Sequence, residues 1–323
     1  MDTGSHLLFG ATLGGLAMLD PVISVHPEIG YAVLAGTVLG SHAPDFDVFA
    51  RLKGQAAYIR NHRGITHSVP APLVWAAAIG GTFAWMFGVL DHVLLVMLWT
   101  LAAVCFHIVL DLFNTYGVQC LRPFSRKWWH LDAICLFDPY LFGAHAIGLL
   151  CWIFGVFPPG PMFACIYAAT IIYIAIRLRL RWRIKRRLKL HLGRVAAITL
   201  VPSMSGRSWQ FTADCGDCYR AGTVTGSRIR LESTVVKYEP SEHVPAVKAA
   251  LEADGVKAFL GFADQVHLQV EEKQDGYEVS WKDVRFWRDN RMAFGVDVQL
   301  DRDMKVLGHH VGWSKRSWEA PHV

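Results

Sequence analysis

His6, Asp45, Asp47, His62, His67, His107 and Asp111 all stand at the ends of strongly apolar stretches in the first third of the chain. An ionisable group at the centre of a membrane helix costs at least ~2.5–3.5 kcal/mol, so it persists where it pairs, faces a cavity or binds an ion. Imidazoles and carboxylates gathered together are the donor set of a divalent metal. His107 and Asp111 are spaced i, i+4, which puts both on one face of a helix, one turn apart. Asp45-Phe-Asp47 follows Pro44 in a loop, and Asn61-His-Arg-Gly-Ile-Thr-His67-Ser68 packs two imidazoles, a guanidinium and two hydroxyls ahead of an apolar run. Thr66 or Ser68 could cap the helix that follows. The planar donor fork of Arg63 suits an anionic oxygen. The competing reading of the same residues is a polar network that holds no metal.

Six apolar segments have to position these groups. Val69–Val89 and His92–Phe113 reach the ~20 residues that cross a bilayer, and Pro139–Phe157 and Pro161–Ile176 are somewhat shorter. Ser5–Leu19 and Ile29–Ala43 are shorter still and Gly-rich, and either span or re-enter. Counting reversals from His6 puts every candidate ligand on one face of the bundle. Arg51–Arg63 and Arg122–Lys127 fall on that face too, and the opposite loops carry no Lys or Arg. The run Arg177–Lys189 follows on the same side, and positive residues favour the cytoplasm. The expectation is therefore a multi-pass protein whose candidate site and C-terminal part face the cytoplasm. The basic run suits anionic headgroups better than nucleic acid.

Composition divides the chain. Of 323 residues, 53% are hydrophobic and only 18% charged, yet charges of both signs are interspersed throughout the last third. We expect an all-α polytopic membrane bundle over 1–176, a basic juxtamembrane segment over 177–194 and a small β-rich (α+β) soluble domain over 195–323. In that domain Val195–Val201, Gly222–Thr225, Arg228–Tyr238, Val266–Glu271, Tyr277–Trp287 and Gly295–Leu300 read as strands. Ser241–Ala253 reads as a helix capped by Ser241, and Trp281, Phe286 and Trp287 as core. Seven scattered cysteines argue against a disulfide framework. Cys215-Gly-Asp-Cys218 reads as a tight turn, with a redox or partial metal site as the alternative.

Gly40-Ser-His-Ala-Pro-Asp-Phe-Asp47, His62-Arg-Gly-Ile-Thr-His-Ser68, His107-x3-Asp111-x2-Asn114-x2-Gly117 and Pro123-Phe124 resemble the YdjM family over roughly residues 1–145. That family is described as bacterial inner-membrane, metal-dependent hydrolases. A more distant similarity is to zinc-dependent phospholipase C enzymes, mapping onto His6, Asp45, His62 or His67, and His107 with Asp111. The chain departs from that group in lacking a later His-x3-Glu pair, which implies one or two metals rather than three. His145 is placed where it could reach the site.

The resemblance implies hydrolysis of an ester, a phosphoester first, through a divalent ion: zinc, with manganese or iron compatible with the same donors. Asp45, His67, His107 and Asp111 are the leading ligands, with His6 and His62 next. Asp47 is the candidate general base or second-metal ligand, and Arg63 the partner of an anionic oxygen. A lipid headgroup or a lipid-linked phosphate is the expected substrate, membrane lipids the expected partners, and nucleic acid is not expected. The alternative is a non-catalytic metal-binding membrane scaffold that presents a cytosolic interaction domain. An open coordination position would separate the two.

Overall fold

A computed structural model of the chain describes residues 1–237, 244–288 and 291–313. The chain divides into two compact units, Met1–Asp47 with Arg63–Arg181, and Val48–His62 with Trp182–Val323. The first is helical. Helix α1 (Thr3–Ala17) is capped by Asp2, which accepts from the Ser5 N–H. A short α2 (Pro21–Val25) turns the chain into α3 (Pro27–Gly40), each with proline in its first turn, where its missing N–H is not needed.

Glycine lets these helices approach closely. A Cβ built on Gly10 would lie 2.7 Å from the Thr37 carbonyl oxygen, and one on Gly40 would lie 3.2 Å from the Thr100 carbonyl oxygen. Thus α3 packs between α1 and α7 (Val93–Leu112), and at these glycines there is no room for a side chain.

After a 3-10 stretch over Ala43–Lys53, the chain passes through α4 (Gln55–Asn61), a 3-10 turn at Ile65–His67, and α5 (Ala71–Trp75). A π turn over Ala76–Gly80 joins α5 to α6 (Gly81–Met86). Gly80 passes the backbone of Met97 so closely that a Cβ there would sit 2.8 Å from the Met97 Cα. Helix α8 (Pro139–Ile153) is capped by Asp138, and α9 (Pro159–Leu192) follows. Leu13, Ala103, Phe163 and Tyr167 form one buried cluster, and Phe9, Leu110, Ile134 and Leu141 a second.

Among the described residues two helical stretches, Leu90–Leu112 and Pro159–Leu192, are long and apolar enough to cross a membrane. They become three if the bent pair Gln55–His67 and Ala71–Met86 forms one span. Helices α1, α3 and α8, with 15, 14 and 15 residues, rise only about 21–23 Å against a hydrocarbon core of ~30 Å. The basic run continues α9 unbroken to Leu192. Arg, Leu and Lys are good helix formers, and Ile184 and Leu188 supply a buried stripe at i, i+4.

The second unit contains two four-stranded antiparallel sheets and a two-stranded ribbon. β1 (Ala197–Pro202), β2 (Ser208–Asp214), β3 (Cys218–Thr225) and β4 (Arg228–Val236) form a meander. The helices α10 (Val244–Leu251) and α11 (Asp254–Leu260) pack on a second sheet. Its strands are β5 (Val266–Lys273), β6 (Gly276–Asp283), β9 (Phe294–Asp301) and β10 (Val306–Trp313), in the order β10-β9-β6-β5. β7 (Trp287–Arg288) and β8 (Arg291–Met292) make the ribbon.

The β-rich class expected for this part holds, and β2, the β7–β8 ribbon, β10 and α11 add to it. The strand expected to run to Trp287 ends at Asp283, where the chain makes a 3-10 turn over Val284–Phe286. Ser241, the expected cap, and Tyr238, the expected end of β4, lie outside the described residues. Trp281 and Trp287 are buried as expected, and Phe286 packs on Phe294 and Trp313. Cys215 and Cys218 flank the β2–β3 hairpin turn, in which Gly216 takes φ +97° and donates its N–H to Asp214 Oδ1. Both thiols are free.

Candidate metal centre

Asp45, His67, His107 and Asp111 converge at one end of the first unit, each offering one donor atom, with all four within 4.8 Å of one another. Three different elements supply them. His107 and Asp111 come from the last turns of α7, Asp45 from the turn after α3, and His67 from the turn before α5. His67 Nε2 lies 3.2 Å from His107 Nε2 and 3.5 Å from Asp111 Oδ2. His107 Nε2 lies 3.6 Å from both Asp45 Oδ1 and Asp111 Oδ2, and Asp45 Oδ1 is 3.9 Å from His67 Nε2. Donors about 2.0–2.2 Å from a tetrahedral zinc are separated by about 3.3–3.6 Å, so the set has the size of a zinc shell.

The tautomers support the same fit. His107 Nδ1 is 2.7 Å from the Ser41 carbonyl, which can only accept, so Nδ1 carries the proton. The Thr66 hydroxyl donates to Asp47 Oδ2 at 2.9 Å, which leaves its oxygen to accept from His67 Nδ1 at 3.0 Å. Both Nε2 lone pairs therefore face each other across the centre. Asp45 Oδ1 and Asp111 Oδ2 are buried and have no hydrogen-bond partner among the described residues. Two lone pairs and two orphaned carboxylate oxygens around one point are a donor set that could hold a metal ion.

A second ring of residues holds these four. His6 stacks on His107 with ring centroids 3.7 Å apart and reaches the other oxygen of Asp111, Oδ1, at 3.4 Å. The α-amino group of Met1 contacts that oxygen as well. Asp47 accepts the Arg63 N–H at 2.7 Å in addition to the Thr66 hydroxyl, so it anchors the turn that carries His67. Arg63 is buried, sits at φ +56° and turns its guanidinium to Asp111 Oδ1 at 3.0 Å and Asn114 Oδ1 at 3.1 Å. A left-handed backbone at a non-glycine residue is held by what surrounds it and is common beside functional sites. His62 ends α4, groups with the second unit and stacks on Tyr58.

His145 does not join the centre. Its two ring nitrogens are taken by Thr12 at 2.8 Å and Thr170 at 2.9 Å, in a buried network with Tyr167. Sequence reasoning missed the Ser41 carbonyl and the Thr66–Asp47 relay. A backbone acceptor leaves no trace in a sequence, but Thr66 beside His67 was visible.

Removing that relay has a defined cost. Supporting groups of this kind are worth about 10–100-fold in metal affinity. Thr66→Val is therefore expected to weaken divalent-metal binding at this centre by that factor without abolishing it. Competition with a chromophoric chelator reads the affinity, and an unchanged value would remove Thr66 from the site.

Comparison with known proteins agrees with this architecture. Residues 1–184 match the family model described as YdjM inner membrane protein, and residues 245–320 match that of the YfhP C-terminal alpha/beta plait domain. The chain is 36% identical over 315 residues to the "Uncharacterized protein YfhP" of Bacillus subtilis (strain 168), covering 97% of this chain and 95% of that one. No solved structure is significantly similar. With a bundle match spanning more than half its length, the chain belongs to the YdjM inner membrane protein family.

Proposed function

We propose that this protein is a membrane-bound, metal-dependent hydrolase of a phosphoester, a lipid headgroup or a lipid-linked phosphate, acting at the cytoplasmic face of the inner membrane. The observation that carries the reading is the pair of orphaned carboxylate oxygens facing two imidazole lone pairs at the end of an apolar bundle. Asp45, His67, His107 and Asp111 would hold the ion. A divalent metal bound there, zinc by its donor set, would acidify a bound water and polarise a phosphoryl oxygen.

The chain's own residues support access and position. Asp45 is the least enclosed of the four, its side chain 14% exposed where those of His67, His107 and Asp111 are fully buried. Asp47 keeps the His67 turn in place and, with both its neighbours donating to one oxygen, serves positioning better than proton transfer. Arg63 balances the charge of Asp111 from outside the donor set. His6 buttresses the His107 ring and limits its rotation.

One observation favours a second reading. Four protein donors already complete a tetrahedral set, which is how structural sites are built. On that reading the bundle is a metal-stabilised scaffold that presents the second unit to cytosolic partners. The test is turnover by the zinc-loaded full chain in detergent–phospholipid micelles, together with X-ray absorption at the zinc edge. The hydrolase reading expects chelator-sensitive release of a phosphorylated headgroup and at least one oxygen donor beyond the four protein ligands. A four-donor shell with no turnover would establish the scaffold instead.

A further inference from the structure

Cations without carboxylate partners gather beside the centre on a loop that the candidate metal chemistry does not use. Arg122, Arg126 and Lys127 lie in the stretch 121–129, and none of them pairs with an acid among the described residues. Arg122 Nε is buried without a hydrogen-bond partner among the described residues. Burial and the neighbouring Arg126 charge pull the Arg122 guanidinium below its ordinary value. Like charges held together in this way are relieved by an anion.

The same loop is apolar at its tip. Phe124 is 83% exposed, Leu121 41% and Trp129 40%, and Lys127 lies 5.1 Å over the Trp129 ring. Cations, an exposed Phe and a half-exposed Trp in one short segment are the composition of an interfacial element, whose rings enter the headgroup layer while its charges meet lipid phosphates. Position agrees, since the loop follows closely on the end of the span Leu90–Leu112.

The loop is also tied firmly to the centre. Val69 N–H donates to the Arg122 carbonyl at 3.1 Å, and Gln119 N–H donates to the Arg63 carbonyl at 3.0 Å. Gln119 Nε2 donates to the Arg126 carbonyl at 2.7 Å, and Val118 and Trp129 exchange backbone bonds. The loop is thus bonded to Val69 directly and to Arg63 through Gln119, the two ends of the segment 63–69 that carries Arg63 and His67.

We propose that the loop 121–129 is a binding site for anionic phospholipid headgroups, which seats the metal-bearing end of the bundle against the charged surface of the bilayer. Arg122, Arg126 and Lys127 hold the phosphate, and Phe124 and Trp129 hold the glycerol and upper acyl region. The site requires no turnover and stands apart from the hydrolase reading.

The test is native mass spectrometry of the detergent-purified full chain with phosphatidylglycerol or phosphatidylcholine added. Retention of phosphatidylglycerol over phosphatidylcholine is expected in the parent. Arg122→Gln, Arg126→Gln and Lys127→Gln should each lower that preference roughly fivefold, the fold-change matching ~1 kcal/mol per basic side chain at an anionic surface. Phe124→Ser should lower retention of both lipids. Each single variant carries the same sign, so the result does not depend on a combined variant folding. Zinc content should stay unchanged throughout, which separates a lost lipid from a collapsed centre.

Absence of a phosphatidylglycerol preference in the parent would overturn the proposal. So would an equal loss from Arg207→Gln, Lys248→Gln and Lys257→Gln in the second unit, because the preference would then follow net charge alone. Lipid bound without hydrolysis would leave this site standing and count against the hydrolase reading.

Discussion

Replacing His107 by alanine is expected to abolish stoichiometric metal in the purified protein, and Asp45→Ala to do the same, while His145→Ala leaves the metal in place. His107 is fixed by the Ser41 carbonyl behind it and the His6 ring beside it, and it is the imidazole that touches both Asp45 and Asp111 within 3.6 Å. Its removal deletes one donor and leaves two buried carboxylates with an incomplete set around the cation that would balance them. The effect should therefore exceed the 10–100-fold expected at Thr66. His145 is as buried and as helical, but Thr12 and Thr170 occupy both its nitrogens, so it controls for the loss of any core histidine. Elemental analysis after zinc reconstitution reads the result, with circular dichroism to confirm that each variant is helical. If the parent binds no zinc, manganese or iron, the centre is a proton-bridged polar network, and the orphaned oxygens are met by a protonated imidazole instead.

The parts of this centre that the sequence disclosed are those in which one element determines the geometry. His107 and Asp111 share a helical face because of their i, i+4 spacing, and no tertiary information is needed to see it. Asp45 and Asp47 could be seen as a pair, but not that one would face the donors while the other stands behind His67. That division depends on the Thr66 hydroxyl and the Arg63 N–H, which come from a different segment. Arg63 was expected to face an anionic ligand. Its left-handed backbone turns the guanidinium onto Asp111 and Asn114, and nothing local announces that turn.

In the second unit, β2 was legible and overlooked. Trp209, Phe211 and Ala213 alternate inward in the period of a half-buried strand. β10 was harder, because Gly308, His309, His310 and Gly312 blur the alternation. It is recruited by pairing with β9 along most of its length. The helix α9 outran its apolar stretch because helix propensity and a buried stripe do not stop where hydropathy does.

Asp283→Ala is expected to destabilise the second unit by about 3–5 kcal/mol, the cost of removing one partner from a buried ion pair. Arg285 and Asp283 are both fully buried. The guanidinium donates from Nε to Asp283 Oδ1 at 3.0 Å and from Nη2 to Asp283 Oδ2 at 2.6 Å, and the same carboxylate accepts the Arg285 N–H. The Phe262 carbonyl at 3.3 Å and the half-exposed Asp264 are the weaker partners that would remain. The charge also lies 4.9 Å from the Phe262 ring and 5.5 Å from the Phe286 ring, surroundings that favour a paired cation and penalise an uncompensated one. Because this pair joins the end of β6 to the turn that feeds β7, its loss should open the β5–β6–β9–β10 sheet first. Hydrogen exchange of the full chain in detergent reads this directly: amide protection in β6 and β9 should fall on the order of 10²–10³-fold. The double variant Asp283→Leu with Arg285→Met should recover most of it, because exchanging a buried pair for apolar groups of similar volume is close to neutral. Unchanged protection in Asp283→Ala would mean that the sheet's apolar core, Val279, Trp281, Val296 and Val298, holds it without the pair. Zinc content measured on the same samples should not move, since the four donors belong to the first unit. A loss of metal on breaking a pair so far along the chain would instead require the two units to fold as one.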